Sequence, residues 1–177
     1  MDNTLVVDYS RQILNGLEYL HSGNINIVHM DIKPRNLLLK KDSRKPIVKI
    51  ADVDNPVIRE LNSETRSMEV VVNITKEFMS PELLSEISNS RQDASNFKLK
   101  ISRKTDIWSF GCVVLAMLGK TPRDGTSQTS IDGFGGYKSM ISSVNDLICE
   151  RFLEDCFRIE NQRPTASELL KHEWLVS

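Results

Sequence analysis

At 177 residues the chain is the size of one domain and can bury a sizeable core. Its 40% hydrophobic and 27% charged content is ordinary for a soluble globular protein, and a net charge of -1 gives no electrostatic case for nucleic acid or a membrane surface. Cys112, Cys149 and Cys156 are odd in number and lie in apolar helical patterns. They read as buried thiols of a reducing compartment, not as a disulfide framework. No basic stretch followed by an apolar run opens the chain, so no signal peptide is expected. The apolar run Ile107 to Leu118 is too short and interrupted to span a bilayer.

In chain order, Leu5, Val6, Tyr9, Ile13, Leu17 and Leu20 recur at three- and four-residue steps. That spacing predicts an amphipathic helix, capped by Asp2 or Asn3 and ending near Gly23. A polar loop around His29 to Asn36 follows. Leu37 to Leu39 and Ile47 to Ile50 flank the polar turn Lys40 to Pro46 and read as a hairpin. The hairpin turns the chain back, so Asp31 before it and Asp52 after it can converge. Residues 53–81, mixed and rich in Ser, Thr, Glu and Arg, read as a loop, and polar residues 86–100 as a surface insertion. Ile107 to Leu118 has little periodicity and reads as a helix buried on most sides. Residues 121–136 read as loop. Helices are expected over 137–158 and 166–174, the last opened by the capping box Thr165-Ala166-Ser167-Glu168.

The chemistry sits in His29-Met30-Asp31-Ile32-Lys33-Pro34-Arg35-Asn36. It places a carboxylate, an ammonium and a carboxamide on one short loop, at a spacing suited to phosphoryl transfer. The stretch resembles the catalytic loop of eukaryotic protein kinases, H-R-D-x-K-x-x-N. Further elements agree in order. Asp52-Val53-Asp54 stands at the place of D-F-G, and Ser80-Pro81-Glu82 at the place of A-P-E. Asp106-Ile107-Trp108-Ser109-Phe110-Gly111 is similar to the start of the buried helix beneath the catalytic loop. Arg163 matches the usual partner of the A-P-E glutamate.

The resemblance covers about Thr4 to Leu175 and implies a mainly α fold: the C-terminal lobe of a serine/threonine kinase, with a short β-hairpin beside the catalytic loop. Residues 1–177 then form one kinase domain fragment, with catalytic loop 29–36, activation segment 52–82 and an insertion at about 86–100. No glycine-rich loop, V-A-I-K strand or N-terminal lobe is seen. The family's cofactors are ATP and Mg2+. By resemblance Asp31 orients the substrate hydroxyl, Lys33 neutralises the moving phosphoryl group, and Thr75 contacts both at the substrate platform. Lys33, Asn36, Leu38 and Asp52 make up the cofactor-binding set, and Asn36 and Asp52 are the metal ligands. Asp106 is expected to hold the loop from below. His21 and His172 read as surface or internally satisfied, and Trp108 and Trp174 as core.

The motif departs from the family at several places. Met30 replaces the arginine that pairs with an activation-segment phosphate, so a mark on Ser63, Thr65 or Ser67 could not be read there. Val53 replaces phenylalanine and Asp54 replaces glycine, whose backbone freedom aspartate lacks. Ile74 and Lys76 stand where glycine and proline are common. The elements around Asp106 and Arg163 resemble the Ste20/Ste11-like branch, which includes kinases acting in MAP kinase signalling. The resemblance implies a cytoplasmic protein that meets a protein substrate or partner, with a lobe or partner covering the inter-lobe face around His29, Leu38 and Val53. The alternatives are a pseudokinase-like binding module, an aminoglycoside- or choline-kinase-like phosphotransferase, and a hydrolase using Asp31 and Asp52 as acid and base. The last needs neither Lys33 nor Asn36, and the phosphotransferase needs neither Glu82 nor Arg163.

Overall fold

The computed structural model describes residues 1–40, 45–53, 76–90, 102–120 and 135–176. The readings placed on Asp54, Ser63, Thr65, Ser67, Ile74 and Thr75, on the hairpin tip 41–44, and on residues 91–100 and 121–134 lie outside the described residues. Within them the chain is mostly helical with one small antiparallel sheet, as the sequence predicts.

Helix α1 spans Asn3–His21. Asp2 caps it by accepting from the Thr4 N–H at 3.1 Å. Val6, Tyr9, Ser10, Ile13, Leu14, Leu17, Leu20 and His21 face inward. Leu5, assigned to the inner face by its spacing, is 39% exposed; Leu14 takes a core place instead. The strands β1 (Leu37–Lys40) and β2 (Ile47–Ile50) pair antiparallel, Leu37 opposite Ile50 and Leu39 opposite Val48. Leu37, Val48 and Ile50 pack against the core, whereas Leu39 is 50% exposed and Leu38, Lys40, Ile47 and Lys49 alternate outward. Gln12 ties the sheet to α1. Its Oε1 accepts from the Val48 N–H at 2.8 Å and its Nε2 donates to the Pro46 carbonyl at 3.3 Å. Gly16 permits the contact, because a Cβ there would lie 2.8 Å from Ile50 Cδ1.

Helix α2 spans Pro81–Ser90, so the first residues of the stretch read as an insertion continue a helix. Helix α3, Lys104–Met117, is the central rod: every residue from Thr105 to Leu115 is buried. Gly111 lets it pack tightly, since a Cβ there would sit 2.8 Å from Cys156 Cβ. The helix expected over 137–158 is two helices, α4 (Gly135–Ile141) and α5 (Leu147–Cys156). Asp146 makes the break. Its carboxylate accepts from the Ile148 and Cys149 N–H groups and so starts a new helix. The helix expected over 166–174 is likewise divided, into α6 (Ala166–Leu169) and α7 (Glu173–Val176). The capping box at Thr165 and Glu168 is present.

The core lies between α1, α3 and α5. Its aromatic centre joins Trp108, Tyr137 and Phe157. Trp108 meets the other two rings edge-on at 5.3 and 4.8 Å, and Tyr137 stacks on Phe157 at 4.7 Å. Trp174 is buried against Phe152. The Arg11 guanidinium donates to the Leu175 carbonyl, which fastens the C-terminal turn to α1. The three cysteines are free and buried. Burial pushes the Cys112 and Cys149 thiols up to about 12, and raises Cys156 well above its ordinary value.

Candidate active site

The loop from His29 to Asn36 is fixed from beneath by Asp106, near the N-terminus of α3. That carboxylate is fully buried. One oxygen accepts from the Met30 N–H at 2.7 Å. The other accepts from the His29 N–H at 2.8 Å and lies 2.8 Å from His21 Nε2. Sequence reading assigns Asp106 this place. His21 it leaves as surface or satisfied, and the structure shows a buried, satisfied residue. Nothing local signals that contact, because His21 and Asp106 lie 85 positions apart.

Met30 has φ of 64°, the left-handed region that a side chain with a Cβ adopts only at a cost. It is also 1% exposed, so it serves as a buried wedge under the loop. The bond from its N–H to Asp106 holds the strained turn in place. Asp31 follows directly, and its direction depends on that turn.

Two side chains meet Asp31. Lys33 Nζ lies 2.7 Å from Oδ2, and Asn36 Nδ2 donates to the same oxygen at 3.0 Å and to the Asp31 carbonyl at 2.8 Å. The other oxygen, Oδ1, is buried and has no hydrogen-bond partner among the described residues. A buried carboxylate oxygen in that condition is costly unless something arrives to use it. Pro34–Asn36 forms a single 3-10 turn, which brings Asn36 back over Asp31.

The hairpin returns the chain to this loop. The Ala51 N–H donates to the Asn36 carbonyl at 2.8 Å, and His29 Nε2 lies 2.9 Å from the Ala51 carbonyl. A proton on Nε2 suits that bond and leaves Nδ1 to accept from the Asp31 N–H at 3.3 Å. Ala51 is thus pinned to both ends of the loop, with Asp52 next in the chain. Asp52 is exposed and itself has φ of 63°, so the left-handed turn falls on the aspartate. Val53 is half-buried. His29 is wholly buried and takes no part in an open face, whereas Leu38 is 56% exposed beside Lys49.

Among the described residues no cluster of three or more His, Cys, Asp or Glu side chains could hold a metal ion. Magnesium, however, needs only one or two protein oxygens when phosphates and water complete its shell. Asn36 commits its amide nitrogen to Asp31, so a cation would meet its oxygen. Asp52 presents an exposed carboxylate. This donor set fits a hard cation held jointly with phosphate.

Across α3, Glu82 and Arg163 form a two-pronged pair at 2.6 and 3.1 Å. Arg163 is 1% exposed, donates to the Lys104 and Arg158 carbonyls, and lies over the Trp108 ring. Burial alone would push the Glu82 carboxyl up, but the Arg163 hydrogen bond and charge outweigh it and hold the group below its ordinary value. Thr75 lies outside the described residues. The chain just after it, a 3-10 turn at Lys76–Phe78, rests on α3.

The family description "Protein kinase domain" matches residues 1–175, and the chain belongs to the protein kinase family. Mitogen-activated protein kinase kinase kinase 17 of Arabidopsis thaliana is 33% identical over all of this chain and 44% of its own length. Two Saccharomyces cerevisiae serine/threonine-protein kinases are also similar. BCK1/SLK1/SSP31 is 34% identical over 97% of this chain and 11% of its own length. STE11 is 33% identical over 98% of this chain and 22% of its own length. The chain therefore spans less than half the length of these relatives. No helix among the described residues is long and apolar enough to cross a membrane.

Proposed function

We propose that the chain is the catalytic-loop-bearing part of a cytoplasmic serine/threonine protein kinase that transfers the γ-phosphoryl group of ATP to a protein hydroxyl. Residues 1–177 then form one kinase domain fragment with the loop, activation segment and insertion boundaries given above. One observation carries the reading: Lys33 and Asn36 both occupy Asp31 Oδ2, while Oδ1 is left without a partner among the described residues. In that arrangement Oδ1 takes the substrate hydroxyl's hydrogen bond and orients its oxygen for attack. Lys33 lies close enough to the carboxylate to face the transferring group, where its charge offsets the developing negative charge. Thr75 contributes to the substrate platform, and Leu38 offers an exposed apolar surface to the nucleotide. Asn36 and Asp52 hold magnesium, which when bound neutralises the phosphate oxygens. The names of the relatives favour a place in MAP kinase signalling.

The test joins the chain to the upstream lobe of a relative and follows labelled γ-phosphate into serine and threonine. Transfer is expected to be slow and measurable, and Asp31→Asn should lower it by at least roughly a hundredfold. The second reading is a binding module that meets a partner without catalysis. The buried Met30, which cannot pair with a phosphate, favours it. A joined protein that binds ATP with magnesium yet transfers nothing, and stays silent after Val53→Phe with Asp54→Gly, would replace the first reading by the second.

A further inference from the structure

Several helix ends meet around a cavity of about 210 Å3 that none of Asp31, Lys33, Asn36 and Asp52 lines. Asn3 opens α1, Leu118 and Lys120 follow α3, Ser143 and Asp146 belong to the link between α4 and α5, and Trp174 lies in α7. Small-molecule sites usually run to about 300–1,000 Å3, so this space suits a group of a few heavy atoms. Lys120 is half-buried and pairs with no carboxylate among the described residues. Ser143 is exposed, and its hydroxyl donates to the nearby Met140 carbonyl at 2.7 Å. Asp146 stands three residues after Ser143. Among the chain's serines only Ser90 and Ser143 have a carboxylate at that third position. A protein kinase with a basic substrate groove selects such a serine by charge. Ser142 is equally exposed but does not line the cavity, and its third position is Asn145.

We propose that Ser143 is a phosphorylation site for an acidophilic serine kinase, and that its phosphate turns into the cavity to pair with Lys120, fastening the α4–α5 link to the end of α3. In the modifying step Ser143 Oγ bonds to the γ-phosphorus of ATP as the bond to the β,γ-bridging oxygen breaks. ADP leaves, and the hydroxyl proton passes to the modifying kinase's base. The phosphoserine then carries a charge of about −1.5 to −2 and three strong acceptor oxygens. A single lysine holds free phosphate poorly, because a free anion must give up its translational freedom. A phosphate tethered at Ser143 has little of that freedom to lose, so one ammonium suffices. Asn3 and Asn145 line the same cavity and can donate through their amides. The Asp146 carboxylate opposes the phosphate, but its Oδ1 is committed to the Ile148 and Cys149 N–H groups, which draw its charge onto the start of α5. Ser143 is here the substrate of another kinase, so the site does not depend on the chain's own activity.

The test treats the full chain, its Ser143→Ala variant and its Lys120→Met variant with casein kinase 2, an acidophilic serine kinase, in magnesium and ATP. Neither side chain is fully buried, so neither substitution should prevent folding. Peptide mass spectrometry should find phosphate on Ser143 in the unaltered chain and in Lys120→Met, and none on Ser142. The treated Ser143→Ala chain keeps any phosphate taken by Ser90 and so supplies the baseline. Against it, treatment should raise the Tm of the unaltered chain by roughly 2–4 °C, the shift of one added charge-assisted hydrogen bond in a domain of this size. The rise should vanish in Lys120→Met and shrink in about 1 M salt, which screens an exposed ion pair. A chain whose Ser143 stays unmodified overturns the site. Modification without a rise in Tm, or a rise that survives Lys120→Met, overturns the pairing with Lys120.

Discussion

Asp31 and Asp106 are both buried carboxylates in the same loop assembly, and they are satisfied in opposite ways. Asp106 fills both oxygens, with two backbone N–H groups and a histidine. Among the described residues, Asp31 loads two donors onto one oxygen and leaves the other bare. A fully satisfied buried carboxylate fixes geometry, because any movement breaks several bonds at once. A half-satisfied one holds unspent hydrogen-bonding capacity at a defined place. The first is how a scaffold looks, and the second is how a group awaiting a substrate looks.

The sharpest way to break that contrast is to delete the scaffold carboxylate. Asp106→Ala leaves the His29 and Met30 N–H groups and His21 without their acceptor, and releases the strained Met30 turn. The cost should be about 3–5 kcal/mol, the range for removing one member of a buried charged network. Urea denaturation followed by tryptophan fluorescence would measure it. A loss under about 1 kcal/mol would mean that the loop is held by packing and not by Asp106.

His21 tests the same network with a smaller effect. His21→Leu keeps the apolar contacts of the helix end and removes one of the donors to Asp106. The remaining two backbone donors keep the carboxylate bonded, so the expected cost is about 1–2 kcal/mol. Combined with Asp106→Ala, the two losses should fall well short of additive, since they remove the same interaction.

Much of this was legible in the sequence, and the failures have physical reasons. The spacing of Asp31, Lys33 and Asn36 marks the loop, because one short turn must carry all three groups. The period of α1 gives the helix but misplaces Leu5, which sits in the first turn where little packs against it. The break at Asp146 was readable in principle. Ser142-Ser143-Val144-Asn145-Asp146 is a run of poor helix formers ending in a good cap. The His21 and Tyr137 contacts were not readable. Each joins elements far apart in sequence, and no local pattern encodes which buried ring will meet which partner.

A third comparison uses acid. Glu82 is held below its ordinary value in the folded chain by Arg163, in spite of its burial. A carboxyl whose folded value is depressed stabilises the fold above its unfolded value. That stability is lost as pH falls through the folded value. Thermal melts between pH 7 and 3 should therefore show an acid limb that sets in near the ordinary glutamate value of 4.5 and deepens below it. Glu82→Gln should flatten that limb while lowering the melting temperature at pH 7. A limb of unchanged steepness in the variant would shift the responsibility to other carboxylates.

The smallest expected effect on stability belongs to Asp31 itself. Asp31→Asn removes a negative charge that is buried with one oxygen unpartnered, and a neutral amide is cheaper to bury than such a carboxylate. Against that stands the lost attraction of Lys33, whose side chain remains close enough to water to be hydrated. The amide oxygen can still accept from Lys33 and Asn36 if it takes the place of Oδ2. These terms oppose each other, so the fold should change by less than about 1 kcal/mol in either direction, while transfer in the joined protein falls at least about a hundredfold. Denaturation of the Asp31→Asn and Asp106→Ala chains side by side measures the contrast directly. If Asp31→Asn destabilised the fold as much as Asp106→Ala, the carboxylate would belong to the scaffold, and its bare oxygen would no longer mark a site for chemistry.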